Sequence, residues 1–285
     1  MKIQTVSITI PTAKCVNNCK FCVSKLHNEH LQIEHNNKEL KKRLKYASLN
    51  GVTTLILTGK GEPLQNTYFL KNLSEVLDKL DNPFPNIELQ TSGVLLNEIT
   101  LKFLKQKMGV TTISLSVSDL FNYENNLKII GAPIELKFRL DTIIKHIKSE
   151  FNMNVRLSIN MLSHYENGGK KPKDFFEAAK RLNVDQILFR EMWADDSKNK
   201  INQWIKSNKV SLNYMNSINS YIQTNGNKLY TLPYGQTVWS LNGISVVIDN
   251  DCMSTEKTDE NLKYLIIREN LKLYSKWNDK GSLIF

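Results

Sequence analysis

Short apolar, β-branched runs that alternate with longer helical periodicities constrain this chain more than any other feature. Residues 6–10, 52–57, 87–90, 111–117, 155–161 and 185–190 read as strands. Between them, residues 38–49 carry Leu40, Leu44 and Ala47 at helical spacing and stop at Gly51. Phe69, Leu73, Val76 and Leu80 mark the next helix, residues 97–108 a third, and Leu140, Ile143, Ile144, Ile147 and Phe151 a fourth. Pro172 stands where a first-turn proline belongs in a fifth helix. Strands separated by helices in this way imply right-handed βα units and a parallel sheet. Such a sheet must be covered on both faces, and curling into an incomplete barrel achieves this. The expected fold is therefore α/β, a partial (β/α)6 barrel whose site lies at the carboxyl ends of the strands.

The loop after the first strand carries Cys15, Cys19 and Cys22, in Lys-Cys-Val-Asn-Asn-Cys-Lys-Phe-Cys. Three thiolates in one loop can converge on a metal centre, and soft sulfur selects zinc, copper(I) or iron–sulfur clusters. A cubane cluster has four iron corners, so three cysteines would leave one iron without a protein ligand. The competing reading is a zinc site completed by His27 or His30, but zinc loops usually pair two separated knuckles, and a second knuckle is missing. Three buried, inert thiols among Lys14, Asn17 and Asn18 would be a poor use of this loop.

The spacing Cys-x3-Cys-x2-Cys, with Phe21 before the third cysteine, resembles the signature of the radical S-adenosylmethionine (radical SAM) superfamily. The loop after the second strand, Thr58-Gly59-Lys60-Gly61-Glu62-Pro63-Leu64, is similar to that family's Gly-Gly-Glu-Pro motif, with Lys60 as a departure. Its glycines let backbone groups approach a ligand without interference from a Cβ, and Pro63 fixes the exit. Gln90-Thr91-Ser92-Gly93 resembles a Thr-Asn-Gly segment of the family.

The resemblance implies a TIM-like partial barrel holding a [4Fe-4S] cluster on Cys15, Cys19 and Cys22. It further implies S-adenosylmethionine, chelated to the open iron by its amino and carboxylate groups and reductively cleaved to a 5′-deoxyadenosyl radical. Gly59, Gly61, Glu62, Pro63 and Thr91 are expected at that cofactor. Ser114, Ser116 and Ser118 share one strand face, as do Arg156, Ser158 and Asn160. Of these, Ser116, Ser158 and Asn160 are expected to contact the cofactor, and Arg156 is an alternative ion-pair partner. From the sixth strand, Phe189 and Arg190 are expected to face the adenine, with core packing as the alternative for Phe189.

The 285 residues fit one barrel-like unit, expected as a barrel at 1–192, with its cluster loop at 11–33, followed by a substrate-covering extension at 193–285. In the extension, residues 201–223 read as one helix with Trp204, Ile205, Leu212, Met215 and Ile218 as its buried stripe. Residues 244–248 and 264–267 read as strands flanking an acidic loop, 249–260, with a third strand at 272–277, together a small helix-plus-hairpin cap. Cys252 is the only cysteine outside the cluster loop, and a thiol there could donate a hydrogen atom to a substrate radical. One extra cysteine cannot build an auxiliary cluster and argues against paired-cysteine methyl transfer.

No apolar run approaches the roughly 20 residues that cross a bilayer, and the first residues lack a signal-peptide core. A cytoplasmic, reducing location suits an oxygen-sensitive cluster. The net charge of +10 is spread over small groups such as Lys41-Lys42-Arg43 and Lys170-Lys171, which read as solvated helix faces before they read as a nucleic-acid footprint. The expected function is hydrogen-atom abstraction from a small-molecule, nucleotide or peptide substrate, with an external electron donor such as flavodoxin or ferredoxin. RNA is the less favoured substrate class. The alternative from another class is a zinc- or cluster-bearing binding module without radical chemistry.

Overall fold

The computed structural model describes residues 2–26, 33–136, 139–232, 235–250, 257–258, 261–277 and 279–285. Cys252, His27 and His30 lie outside the described residues. The barrel strands are β1 (Lys2–Ile10), β2 (Thr54–Gly59), β3 (Asn86–Thr91), β4 (Thr112–Val117), β5 (Asn154–Asn160) and β6 (Gln186–Arg190). They pair in parallel in sequence order. Their connections carry α1 (Asn37–Leu49), α2 (Thr67–Asp78), α3 (Glu98–Gln106), α4 (Tyr123–Ile130), α5 (Leu140–Ser149), α6 (Ser163–Asn167) and α7 (Pro172–Arg181).

Strand alternation divides each barrel strand into two chemistries. Val6, Ile8, Ile10, Leu55, Leu57, Ile87, Leu89, Ile113, Leu115, Val155, Leu157, Ile159, Ile187 and Phe189 are buried with the apolar helix residues in one continuous core. The opposite set is largely polar: Ser7, Thr9, Thr58, Gln90, Ser116, Asn160 and Arg190 line a cavity at the carboxyl ends of the strands. Lower on that inner face, Arg156 donates from Nη1 to Glu88 Oε2 at 2.5 Å and from Nε to Gln186 Oε1 at 2.7 Å. Arg156 is thus the ion-pair partner that its alternative reading anticipates, tying β3, β5 and β6 together below the cavity.

The carboxyl-terminal segment extends this sheet at both edges. It contains α8 (Lys200–Asn208), α9 (Leu212–Asn225), β7 (Asn227–Thr231), β8 (Thr237–Leu241), β9 (Ile244–Asp249), β10 (Lys257–Thr258), β11 (Asn261–Ile267) and β12 (Leu273–Tyr274). β9 pairs in parallel with β6 and continues outward through the antiparallel β8 and β7. β11 pairs in parallel with β1 at the far edge, and β10 and β12 attach to it. The two strands expected to flank the acidic loop therefore do not pair with one another; they stand on opposite sides of the open barrel, each bringing its carboxyl end to the cavity.

The helix expected over 201–223 is broken. Lys209 turns extended, at φ −74° and ψ 153°, and Ser211 starts α9 by accepting from Tyr214 N at 3.1 Å. Glu166 holds that junction, accepting from Ser211 N at 2.9 Å and Ser211 Oγ at 2.7 Å. A capping serine competes with helix continuation, and Leu212 at the new start is 69% exposed rather than buried.

Phe189 packs edge-on against Phe175 and Phe176, with ring centroids 5.4 and 5.9 Å apart, and has no exposed surface. It faces the core because it alternates with Arg190, so it does not offer an adenine surface. Phe189→Ala should therefore cost about 3–5 kcal/mol of stability, read as a shift in urea midpoint at unchanged slope. A variant of native stability with weakened cofactor binding would contradict this placement.

Candidate functional site

Three loops meet at the carboxyl ends of β1, β2 and β3, and their own side chains, with Thr91 at the end of β3, hold them together. The cysteine loop leaves β1 at Pro11, whose carbonyl accepts from Asn66 Nδ2 at 2.7 Å. Gln65 then clamps its start, with Oε1 accepting from Val16 N at 2.7 Å and Nε2 donating to Lys14 O at 3.0 Å. Asn17 Nδ2 donates to Ser92 Oγ at 2.8 Å. Ser24 Oγ donates to Lys60 O at 2.7 Å and lies 2.8 Å from Cys22 Sγ.

Glu62 is the joint of the assembly. It is 3% exposed, and its carboxylate accepts four hydrogen bonds. Oε1 accepts from Thr91 Oγ1 at 2.6 Å and Leu64 N at 3.4 Å; Oε2 accepts from Ser92 N at 2.9 Å and Ser92 Oγ at 2.6 Å. Ser92 Oγ thus receives Asn17 from the cysteine loop and gives its proton to the glycine loop. The glycines have a related reason. A Cβ on Gly59 would meet Ile10 O at 2.9 Å, and one on Gly61 would meet Thr12 Cβ at 3.2 Å and Cys15 Cα at 3.3 Å. Gly59 thus permits close approach to the end of β1, and Gly61 to the cysteine loop itself.

Sequence reasoning missed the fourth support, α4. Its amino end is fixed by Asp119, which accepts from Phe121 N, Asn122 N and Asn125 Nδ2, and by buried Asn126, whose Oδ1 accepts from Ser118 N and Asp119 N. Ser118 Oγ in turn accepts from Asn160 Nδ2 at 3.1 Å. At the other end, Asn18 N donates to Ile130 O at 3.0 Å and Gly131 O at 3.2 Å. Gly131 is left-handed at φ +60°, and a Cβ there would stand 2.8 Å from Asn18 O. The signal in the sequence was a glycine ending a short helix, but an Asn-rich start hid the helix.

The result is a cavity of about 430 Å³ that includes Cys15, Cys19, Cys22, residues 59–63, Thr91, Ser116, Asn160 and Arg190. Ser158 is 2% exposed and does not line it. The extension adds Asp249, Tyr264, Glu269 and Trp277, and Trp193 follows β6. Lys60 Nζ stands 3.1 Å from Glu269 Oε1, and Arg190 Nε 3.9 Å from Asp249 Oδ2, which also lies beside Gln236. Each of these pairs joins a barrel cation to an acid from the extension.

All three cysteines are free and half-buried. Burial pushes the Cys19 thiol up to about 12, with Cys22 and Cys15 adding to the rise, and burial also raises Cys15. Thiols pressed together out of water resist ionisation until a cation compensates them. Among the described residues, no three His, Cys, Asp or Glu side chains converge on one ion position. Nor is any described helix long and apolar enough to cross a membrane.

A family model described as the radical SAM superfamily matches residues 9–179. A probable GTP 3′,8-cyclase of Methanococcus aeolicus is 27% identical over 53% of this chain and 50% of its own length. An uncharacterised protein of Methanocaldococcus jannaschii is 28% identical over 64% of this chain and 55% of its own. The chain spans about half the length of these curated relatives. SuiB of Streptococcus suis, solved bound to S-adenosylmethionine, superposes at a TM-score of 0.64 and 17% identity over 97% of this chain and 61% of its own. Native anSMEcpe with bound AdoMet gives a TM-score of 0.59 at 14% identity, over 96% of this chain and 74% of its own. The chain belongs to the radical SAM superfamily.

Proposed function

We propose that this chain is a radical SAM enzyme that abstracts a hydrogen atom from an organic substrate held in the cavity. The observation that carries the reading is the convergence of the three cysteines, the glycine loop and the polar strand ends on one cavity. The residues present fit the two groups that the family uses. Three soft thiols suit an iron–sulfur cluster, and the loop that bears them is cradled where a Cβ on Gly61 or Gly131 would intrude. Asn17 Oδ1 and Arg190 Nε are buried there without a hydrogen-bond partner.

Cys15, Cys19 and Cys22 would hold a [4Fe-4S] cluster; residues 59–63, Thr91, Ser116, Asn160 and Arg190 would hold S-adenosylmethionine. When bound, these groups would supply one-electron reductive cleavage of the cofactor's sulfur–C5′ bond, with methionine as the leaving group. The protein's part is orientation and exclusion. The Glu62 joint keeps the glycine loop against the cysteine loop, while Trp193, Tyr264 and Trp277 wall the cavity from the extension side.

The lining also bears on the substrate. It contains two cations, Lys60 and Arg190, each facing a carboxylate, while Glu191 adds a further acid. A polyphosphate would have to displace both carboxylates, so a peptide or other substrate without a polyphosphate suits the site better.

Anaerobic reconstitution with iron and sulfide, followed by S-adenosylmethionine and a strong reductant, should release 5′-deoxyadenosine. Cys15→Ala, Cys19→Ala and Cys22→Ala should each abolish that release while leaving the far-ultraviolet circular dichroism of the barrel in place. Zinc occupancy without cleavage would sink the proposal in favour of a binding module.

Gly131→Ala should displace Asn18 and loosen the cluster loop without touching a ligand. Iron loss to a chelator should quicken roughly tenfold, equivalent to about 1.4 kcal/mol, alongside a lowered unfolding midpoint from the strain of a Cβ at a left-handed position. Equal iron retention would show that α4 does not support the loop. Added GTP should leave the rate of 5′-deoxyadenosine formation unchanged; stimulation by GTP would overturn the argument from the paired charges.

A further inference from the structure

We infer that the substrate presents an ammonium or guanidinium group, and that Glu269 receives it at the extension side of the cavity. This deepens the functional reading above and rests on it, since it assigns a chemical class to the substrate that the cavity holds.

The charges lining the cavity are sorted by origin. Its two cations, Lys60 and Arg190, come from the barrel. The lining contributed from residue 191 onward carries Glu191, Asp249 and Glu269 together with Trp193, Tyr264 and Trp277, and no Lys or Arg. Glu62, the fourth acid, is consumed by Thr91, Ser92 and Leu64. One wall thus offers three carboxylates and three aromatic rings. Such a combination suits an organic cation, because ring faces attract the charge and their apolar surface covers the stem that carries it.

Glu269 is the acid of this wall that is left incomplete. It is 6% exposed; Oε1 stands 3.1 Å from Lys60 Nζ, but Oε2 is buried without a hydrogen-bond partner. Asp249 is better provided, with Oδ1 accepting from Gln236 Nε2 at 3.0 Å and Oδ2 lying 3.9 Å from Arg190 Nε. A buried carboxylate oxygen without a donor is costly, and a binding site bears that cost where the ligand brings the donor.

The backbone holds Glu269 in place for this task. The residue stands two positions beyond β11, in a turn where Arg268 N donates to Lys272 O at 3.1 Å and Leu271 N to Arg268 O at 2.8 Å. Glu34 N donates to the Glu269 carbonyl at 3.1 Å. An ammonium or guanidinium supplies both things that Oε2 lacks, an N–H donor and a positive charge. A neutral amide or hydroxyl supplies the donor but leaves the excess of carboxylates uncompensated. A carboxylate or phosphate is repelled by it.

The test uses the reconstituted protein with S-adenosylmethionine bound, titrated anaerobically in a calorimeter with three probes. Two are cationic, N-acetyl-lysine amide and N-acetyl-arginine amide; the third is the neutral N-acetyl-norleucine amide. The expected result is that the cationic probes bind at least roughly tenfold tighter than the neutral one. Glu269→Gln should erase that preference, whereas Lys60→Met, which frees Oε1 for the ligand, should enlarge it. Lys60→Met decides the matter by itself if Glu269→Gln does not fold.

No preference for the cationic probes in a protein that cleaves S-adenosylmethionine would overturn this assignment and leave the functional reading standing. A preference that survives Glu269→Gln, or that Lys60→Met does not enlarge, would overturn it as well. Loss of S-adenosylmethionine affinity in Glu269→Gln, in step with the probes, would give the carboxylate to the cofactor's own ammonium and overturn the substrate assignment. A reconstituted protein with neither cluster nor cleavage would fell the functional reading and this inference with it.

Discussion

The buried carboxylate of Glu62 is the interaction on which the rest of the site depends. Burying a charge is costly unless hydrogen bonds replace its water, and charge-assisted bonds contribute about 1.5–3 kcal/mol each. Here the four donors come from Thr91, Ser92 and Leu64. The chain thus spends one motif residue on joining loops. Through Ser92 Oγ and Asn17 Nδ2 the same joint reaches the cysteine loop, so the cysteines' positions and the glycine loop's path are set together.

This joint turns the Glu62 side chain of the Gly-Lys-Gly-Glu-Pro segment inward, onto Thr91 and Ser92, while its glycines leave the segment close against the neighbouring chain. The substitution of Lys60 into that segment is tolerated for a related reason. The lysine carbonyl still accepts from Ser24, while its side chain leaves the loop and meets Glu269 across the open edge of the barrel. The departure from the family pattern is absorbed by the extension, which also answers Arg190 with Asp249.

Much of this was legible in the sequence, and the boundary of legibility is physical. Local signals located the barrel strands and their principal helices, because each strand is a β-branched run whose apolar positions face the helices. The cysteine spacing likewise located one wall of the cavity. What escaped was non-local or competed with propensity. Gly131 looks like any helix-ending glycine until Asn18 is seen to bond to the end of its helix. Residues 201–223 kept helical spacing across Ser211, whose hydroxyl ended one helix and began another. Residues 244–248 and 264–267 read as hairpin partners because they are close in sequence, yet the sheet edges available to them were β6 on one side and β1 on the other. Phe189 and Arg190 are neighbours whose opposite faces gave them opposite fates.

An open barrel needs a reason not to collapse, since its inner face is polar and its edges are unsatisfied. The extension supplies both parts of the answer. β9 and β11 each add a parallel strand, so backbone groups of β6 and β1 that would otherwise be exposed are paired. They do so without closing the circle, because β9 continues into β8 and β7 while β11 continues into β10 and β12. The gap between the two edges is kept polar by an acid at each side. If the strands had closed on each other, the interior would have had to fill with side chains as in a small complete barrel. Held apart, they leave an open cavity above Arg156 and Glu88, in which the barrel cations Lys60 and Arg190 meet the carboxylates Glu269 and Asp249 that the extension brings to its two edges.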